Sequence, residues 1–274
     1  MKTIRQIKVI LFSFLMIGIF VSPYSGLKAQ NIYPPTCYGG NKLLRAFIKE
    51  EMIYPEIALK KNIEGTVELS FIVKPDGVVS NRNVVLSVSP EIDEEAIRIF
   101  KKILWNPATE LGKPIALNHS AKLKFSIKKY KKLIKERGYE YFSYPYEPID
   151  TSNHVYAMKE VDNYPKPIFS SADVNFNNFL IRNLKYPETA FKQNISGEVK
   201  LKFVVEQSGR MSNIKIVETV GGGTTEEAIR VLKLMKWHPG IYKGKAVRTF
   251  MEIQIKFDIA KNTVGGSVPS QGRF

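Results

Sequence analysis

The side chains best suited to ligate a metal, take a proton near neutral pH or attack as a nucleophile are few: His119, His154, His238 and Cys37. A single Cys builds neither an internal disulfide nor a Cys-based metal site. Three scattered His do not make a His-only cage. The sequence has no nucleophile elbow, no phosphate-cradling Gly loop and no metal-spaced triplet. Gly221-Gly222-Gly223 precedes an expected helix, where backbone N–H groups could hold an anion. The related stretch Ser89-Pro90-Glu91 could not do so alike, so the glycines read as a loop. These residues predict no enzyme, no metal, no cofactor and no small-molecule substrate.

Charge and hydropathy bound the rest. The 274 residues carry 41 Lys+Arg against 26 Asp+Glu, and 44 % are apolar, a globular composition. Residues 1–29 read as an export signal: Lys2, Arg5 and Lys8 precede the uncharged run Val9 to Val21, and Ala29 offers a small residue for cleavage. That run of 13 is short of the roughly 20 apolar residues that span a bilayer. Cleavage would remove four cations and no anion, taking the formal charge from +15 to +11. The expected location is the periplasm, with an uncleaved inner-membrane anchor as the alternative.

The chain repeats itself at one constant offset. Tyr54-Pro55-Glu56 recurs as Tyr186-Pro187-Glu188, and the match runs ungapped to Ile127 and Ile259, with about two in five positions identical. Gly65, Gly77, Trp105 and Pro107 answer Gly197, Gly209, Trp237 and Pro239. Glu94-Glu95-Ala96-Ile97-Arg98 answers Glu226-Glu227-Ala228-Ile229-Arg230. The histidines do not take part: His119 aligns with Met251 and His238 with Asn106. The offset has the length of a whole domain, far above that of a solenoid unit, so each copy is a domain.

Punctuation and periodicity supply the elements. Leu44, Phe47 and Ile48, like Phe176, Phe179 and Leu180, have the spacing of an amphipathic helix that Pro55 or Pro187 ends. Val67, Leu69, Phe71 and Val73 alternate with polar residues as a half-buried strand, and Gly77 marks a hairpin turn into a second strand near Val78–Val88. A helix follows, with Thr224 and Glu227 spaced as a capping box in the second copy. Ala121, Leu123, Phe125 and Ile127, then Ile253, Ile255, Phe257 and Ile259, make a closing strand in each copy. The predicted class is α+β: two tandem copies of two to three helices on a largely antiparallel three-stranded sheet. The boundaries read as a signal at 1–29, domains at 30–128 and 154–260, a basic and Tyr-rich linker at 129–153, and a flexible Gly- and Ser-rich tail at 261–274.

The ordered set Tyr-Pro-Glu, Gly-x-Val, Phe-x-Val, Gly turn, Glu-Glu-Ala helix, Trp-x-Pro and basic closing strand, found twice, resembles the C-terminal domain of the energy transducer TonB in its Bacteroidetes-type form. Tyr38-Gly39-Gly40 resembles that form's aromatic-x-Gly-Gly opening. The resemblance implies a module that binds the TonB box of outer-membrane transporters as an added strand on a sheet edge. It maps the receiving edges to Lys122, Leu123, Lys124 and Phe125, and to Gln254, Ile255, Lys256 and Phe257. It maps a second contact, before the first repeat helix, to Tyr54 and Pro55 and to Tyr186 and Pro187; better-studied members often have Gln-Pro there.

The expected partners are therefore TonB-dependent transporters and their box peptides. A long Pro-rich spacer is lacking, so an anchored transducer working with inner-membrane motor proteins stands as the alternative. A further alternative is an envelope assembly protein whose two copies pair edge to edge, or that self-associates through those edges. Lys122, Lys124, Arg248 and Lys256 could steer acidic segments or simply protect an open edge. The Lys128–Arg137 run followed by tyrosines has a nucleic-acid pattern, but export argues against that partner, and a solvated helix or linker is expected.

Overall fold

The computed structural model describes residues 31–141, 143–169, 175–259 and 263–267. The export signal expected at 1–29 lies outside the described residues. Among them, no helix is long and apolar enough to cross a membrane.

In the first repeat, α1 (Gly40–Glu51) and α2 (Glu56–Lys60) precede strands β1 (Gly65–Val73) and β2 (Val79–Leu86), helix α3 (Pro90–Lys101) and strand β3 (Leu117–Phe125). The three strands form an antiparallel sheet in the order β2-β1-β3. The alternation in β1 does what its period requires: Val67, Leu69, Phe71 and Val73 are buried against α3 and Trp105. Each such side chain contributes about 1.5–3 kcal/mol on leaving water. The hairpin closes through Gly77 N–H to Lys74 O at 2.9 Å. Gly77 has φ 83°, and a Cβ there would meet Trp105 O at 2.6 Å, so the turn needs glycine. Gly209 stands likewise over Trp237 O. Pro90 begins α3 behind the N-cap Ser89, which accepts from Ile92 N–H.

The basic run forms helix α4 (Ile127–Arg137). It is not a solvated linker: Tyr130 and Leu133 are buried in the first core, and the αL residue Gly138 ends it. The lysines occupy its outer face, as the stems and heads of a half-buried helix must.

The second repeat begins with β4 (Val155–Tyr156) and continues through α5 (Phe176–Asn183) and α6 (Glu188–Lys192). Then come β5 (Gly197–Val205), β6 (Met211–Glu218), α7 (Thr224–Leu232), β7 (Gly240–Tyr242) and β8 (Lys245–Asp258). β5 and β6 begin and end at the counterparts, by the sequence offset, of the first and last residues of β1 and β2. Strands β6, β5 and β8 pair antiparallel in that order, with β7 also antiparallel on β8. One expectation fails locally. The N-cap of α7 is Gly223 at φ 87°, not Thr224 in a capping box. Thr224 is buried inside the helix, its hydroxyl donates to Gly221 O, and the Glu227 carboxylate accepts instead from Lys185 N–H and Arg230.

The repeats pack together through side chains. Leu43 of α1 packs against the second core. Glu51, 2 % exposed at the end of α1, takes Lys102 Nζ at 2.8 Å and the guanidinium of Arg210 from the second repeat. Asn213 donates to Lys102 O and accepts from Leu104 N–H. The two closing strands do not pair with each other among the described residues, so the edge-to-edge arrangement is not how the copies meet in one chain.

Candidate functional site

The two closing strands begin as equivalents. β3 pairs with β1 so that Lys122 faces Glu68, Leu123 faces Val67, Lys124 faces Thr66 and Phe125 faces Gly65. β8 pairs with β5 so that Gln254 faces Lys200, Ile255 faces Val199, Lys256 faces Glu198 and Phe257 faces Gly197. The apolar member of each step is buried and the polar member exposed. Ile127 N–H turns inward to a Glu64 carboxylate oxygen, as Ile259 N–H does to Ser196 Oγ. Backbone groups alternate along a strand, so the N–H groups of Lys122 and Lys124, and of Gln254 and Lys256, face the outer edge.

The outer edges then diverge. Among the described residues, no strand pairs with the outer edge of β3. On β8 that edge is taken. β4 pairs in parallel with Arg248 and Thr249. The segment expected as a flexible tail contains strand β9 (Thr263–Ser267), antiparallel to β8, with Ser267 opposite Gln254, Gly266 opposite Ile255, Gly265 opposite Lys256 and Val264 opposite Phe257. Gly266 lies against α5: its N–H donates to Asn177 Oδ1 at 2.8 Å, and a Cβ there would meet Leu180 and Phe176 within 2.7 Å. The local cause is visible at the matching place in the first copy, where Lys131–Lys135 is helical. Lys and Leu favour helix, whereas Thr-Val-Gly-Gly-Ser does not.

Without a returning strand, β3, α1 and α4 leave a groove of about 480 Å³. Its apolar wall is Ile48, Met52 and Leu133, and its rim carries Arg45, Lys49, Lys122, Lys124, Lys129 and Lys132. Glu136 meets Lys49 at 2.9 Å and Lys132 at 3.7 Å, and Glu68 meets Lys122 at 3.5 Å.

Other singled-out residues have structural partners. Tyr54 is 3 % exposed and its hydroxyl donates to Ile63 O at 2.6 Å; Tyr186 donates to Ile195 O at the same distance. Burial, helped by Glu64, pushes the Tyr54 hydroxyl up to about 12. Pro55 and Pro187 are the N-caps of α2 and α6. Arg248, read from its strand position as able to steer acidic segments, is 1 % exposed and cannot do so. Its Nε and Nη2 donate to Glu206 at 2.9 Å each, and it donates to Lys102 O and Asn153 O. Burial alone would push the Glu206 carboxyl up; Arg248, Lys102 and the Arg248 and Ser212 hydrogen bonds outweigh it and hold the group below the usual range. His119 stacks edge-on against Phe71 and Trp105, and burial pushes it down. His238 meets the Tyr146 hydroxyl at 2.9 Å, and His154 stacks on Tyr156. Cys37 is buried. Among the described residues, no three His, Cys, Asp or Glu are grouped to hold a metal.

The family of the Gram-negative bacterial TonB protein C-terminal matches residues 50–127 and again 182–259, together more than half of the chain. The chain belongs to that family. It is a family of non-enzymatic interaction domains that meet outer-membrane proteins, and it points to the cell envelope. Two solution structures of the Helicobacter pylori TonB C-terminal domain are similar in part: one is 20 % identical over 31 % of this chain and 78 % of its own, the other 23 % identical over 31 % and 90 %, each with a TM-score of 0.25. No curated protein matches the chain. In this TonB-family chain, both matched stretches end just past the closing strands whose edges differ.

Proposed function

We propose that this chain is a periplasmic, non-enzymatic binding protein that captures extended, TonB-box-type segments of outer-membrane transporters by strand addition, and that the first repeat does the capturing. One observation carries the reading: β3 offers outward N–H and C=O groups along Leu117–Phe125 with no strand beside them among the described residues, while β8 already has one. An unpaired edge is a template for another chain, and main-chain hydrogen bonds supply the affinity. Lys122 and Lys124 mark the receiving positions in the first repeat. Gln254, Ile255, Lys256 and Phe257 form the matching positions in the second, held by β9 until the tail leaves.

Lys124→Pro removes one outward donor without touching the ladder to β1. Titration with a box-type peptide, followed by amide NMR on variants shown to be folded, is expected to give at least tenfold weaker binding for Lys124→Pro and an unchanged constant for Lys256→Pro. Unchanged binding by a folded Lys124→Pro variant overturns the assignment.

A further inference from the structure

Building on that reading, we propose that the groove beside β3 selects acidic extended segments, seated in the register that β9 adopts on β8. The tail of this chain is a template for the occupant. On the second repeat, β9 lies between β8 and α5, with Gly266 opposite Ile255 and its N–H given to Asn177 Oδ1. The groove between β3 and α1 is the same place in the first repeat, with Ile48 where Leu180 stands and Arg45 where Asn177 stands.

That last exchange decides the chemistry. An Asn oxygen accepts a backbone N–H; a guanidinium has five donors and no acceptor. An occupant at Arg45 must bring acceptors, and a carboxylate matches the guanidinium fork. The rim repeats the demand. The six cations Arg45, Lys49, Lys122, Lys124, Lys129 and Lys132 correspond to Asn177, Ile181, Gln254, Lys256, Lys261 and Val264, of which two are cations. Among the described residues, Arg45, Lys124 and Lys129 show no ion pair, and the groove's own carboxylate, Glu136, is already shared by Lys49 and Lys132. Edge protection needs a lysine or two on the strand; it does not call for cations on both flanking helices.

The occupant is therefore an extended polypeptide with a small residue opposite Leu123 and at least two carboxylates, one of them reaching Arg45. The test compares two synthetic ten-residue peptides of equal length, each with a central glycine, one carrying two Asp and the other two Asn. The full chain and its Arg45→Glu/Lys129→Glu variant are used; both positions are exposed. Arg82→Glu, on the far strand β2, is the charge control. The Asp peptide is expected to bind at least tenfold tighter than the Asn peptide at low salt. That preference should shrink as ionic strength rises, vanish in the double variant and persist in Arg82→Glu. Equal binding of both peptides, still lost in Lys124→Pro, overturns acid selection and leaves strand addition standing. Asp-peptide binding indifferent to Lys124→Pro overturns the strand-addition reading, and this proposal with it. Binding of phosphatidylglycerol vesicles through Arg45 and Lys129, with no preference between the peptides, also overturns the proposal and makes the groove a lipid site.

Discussion

β3 and β8 occupy equivalent places in two copies of one fold, pair with the same inner neighbour in the same register, and end differently: β3 runs into helix α4, whereas β9, the next described strand after β8, lies antiparallel along it. The residues that make the sheet are alike in the two copies. The residues that settle access to it lie just beyond, where Lys131–Lys135 is helical and Thr263–Ser267 is a strand. Duplication has kept the scaffold and varied the segment beside the edge, so a repeated closing strand is not a repeated open edge. The far sides differ as well. β2 leaves most of its length exposed, while the first half of β6 is buried under α1 of the other repeat.

The comparison can be broken most forcefully at the buried Glu206–Arg248 ion pair, which has no counterpart at the matching positions of the first repeat. Lys74 and Ala116 stand where Glu206 and Arg248 do. Glu206→Gln leaves Arg248 charged and unpaired in the interior and is expected to cost about 3–5 kcal/mol in denaturant unfolding. The pH sign follows from the lowered Glu206 carboxyl: its contribution is complete above the ordinary carboxylate range, about pH 4–5, and is lost as acid carries the pH down through the lowered value. A wild-type stability that does not fall faster with acid than that of Glu206→Gln would contradict this.

The next effect concerns occupancy. Removing residues 260–274, or placing Gly266→Val where a Cβ meets Leu180 and Phe176, should free β8. Calorimetry is expected to change from one bound peptide per chain to two, and amide exchange at Gln254 and Lys256 should accelerate. The freed edge should show little preference for acid, since its groove lacks at least four of the six cations. A stoichiometry that stays at one would show that the tail is not what closes the second edge. The smallest effect tests where the copies agree. Tyr54→Phe and Tyr186→Phe each remove one hydroxyl-to-carbonyl bond and should each cost about 1 kcal/mol, the former slightly more because Tyr54 is the more buried.

Much of the fold was legible because it is local. The alternation of Val67 to Val73, the turn at Gly77 and the helix before Pro55 each report a short-range constraint, and the strands and helices fall where those constraints put them. Trp105 and Trp237, matched by the repeat, are both buried, each in a short strand beyond the preceding helix. Three readings failed where a distant partner intervenes. The basic run looks solvated by charge, yet Tyr130 and Leu133 find the first core. Arg248 looks exposed by strand alternation, yet the second copy closes over it with Glu206. The Thr224–Glu227 spacing is that of a capping box, yet Glu227 is drawn to Lys185 and Arg230. Of the candidate site, the strand and its outward lysines could be read; the cationic groove could not, because it is assembled from α1, β3 and α4.

The sequence by itself determined the duplication, the strand and helix order within each copy, the outward spacing of the lysines and the absence of a repeated catalytic base. Those properties depend on residue type, period and turn chemistry, which act over a few positions. Only the tertiary structure decided which closing-strand edge is open among the described residues, which cations reach it and which are locked in the core. Those outcomes depend on where the segments after β3 and β8 come to rest, a competition between helix packing and strand return settled by contacts with residues far away in the chain.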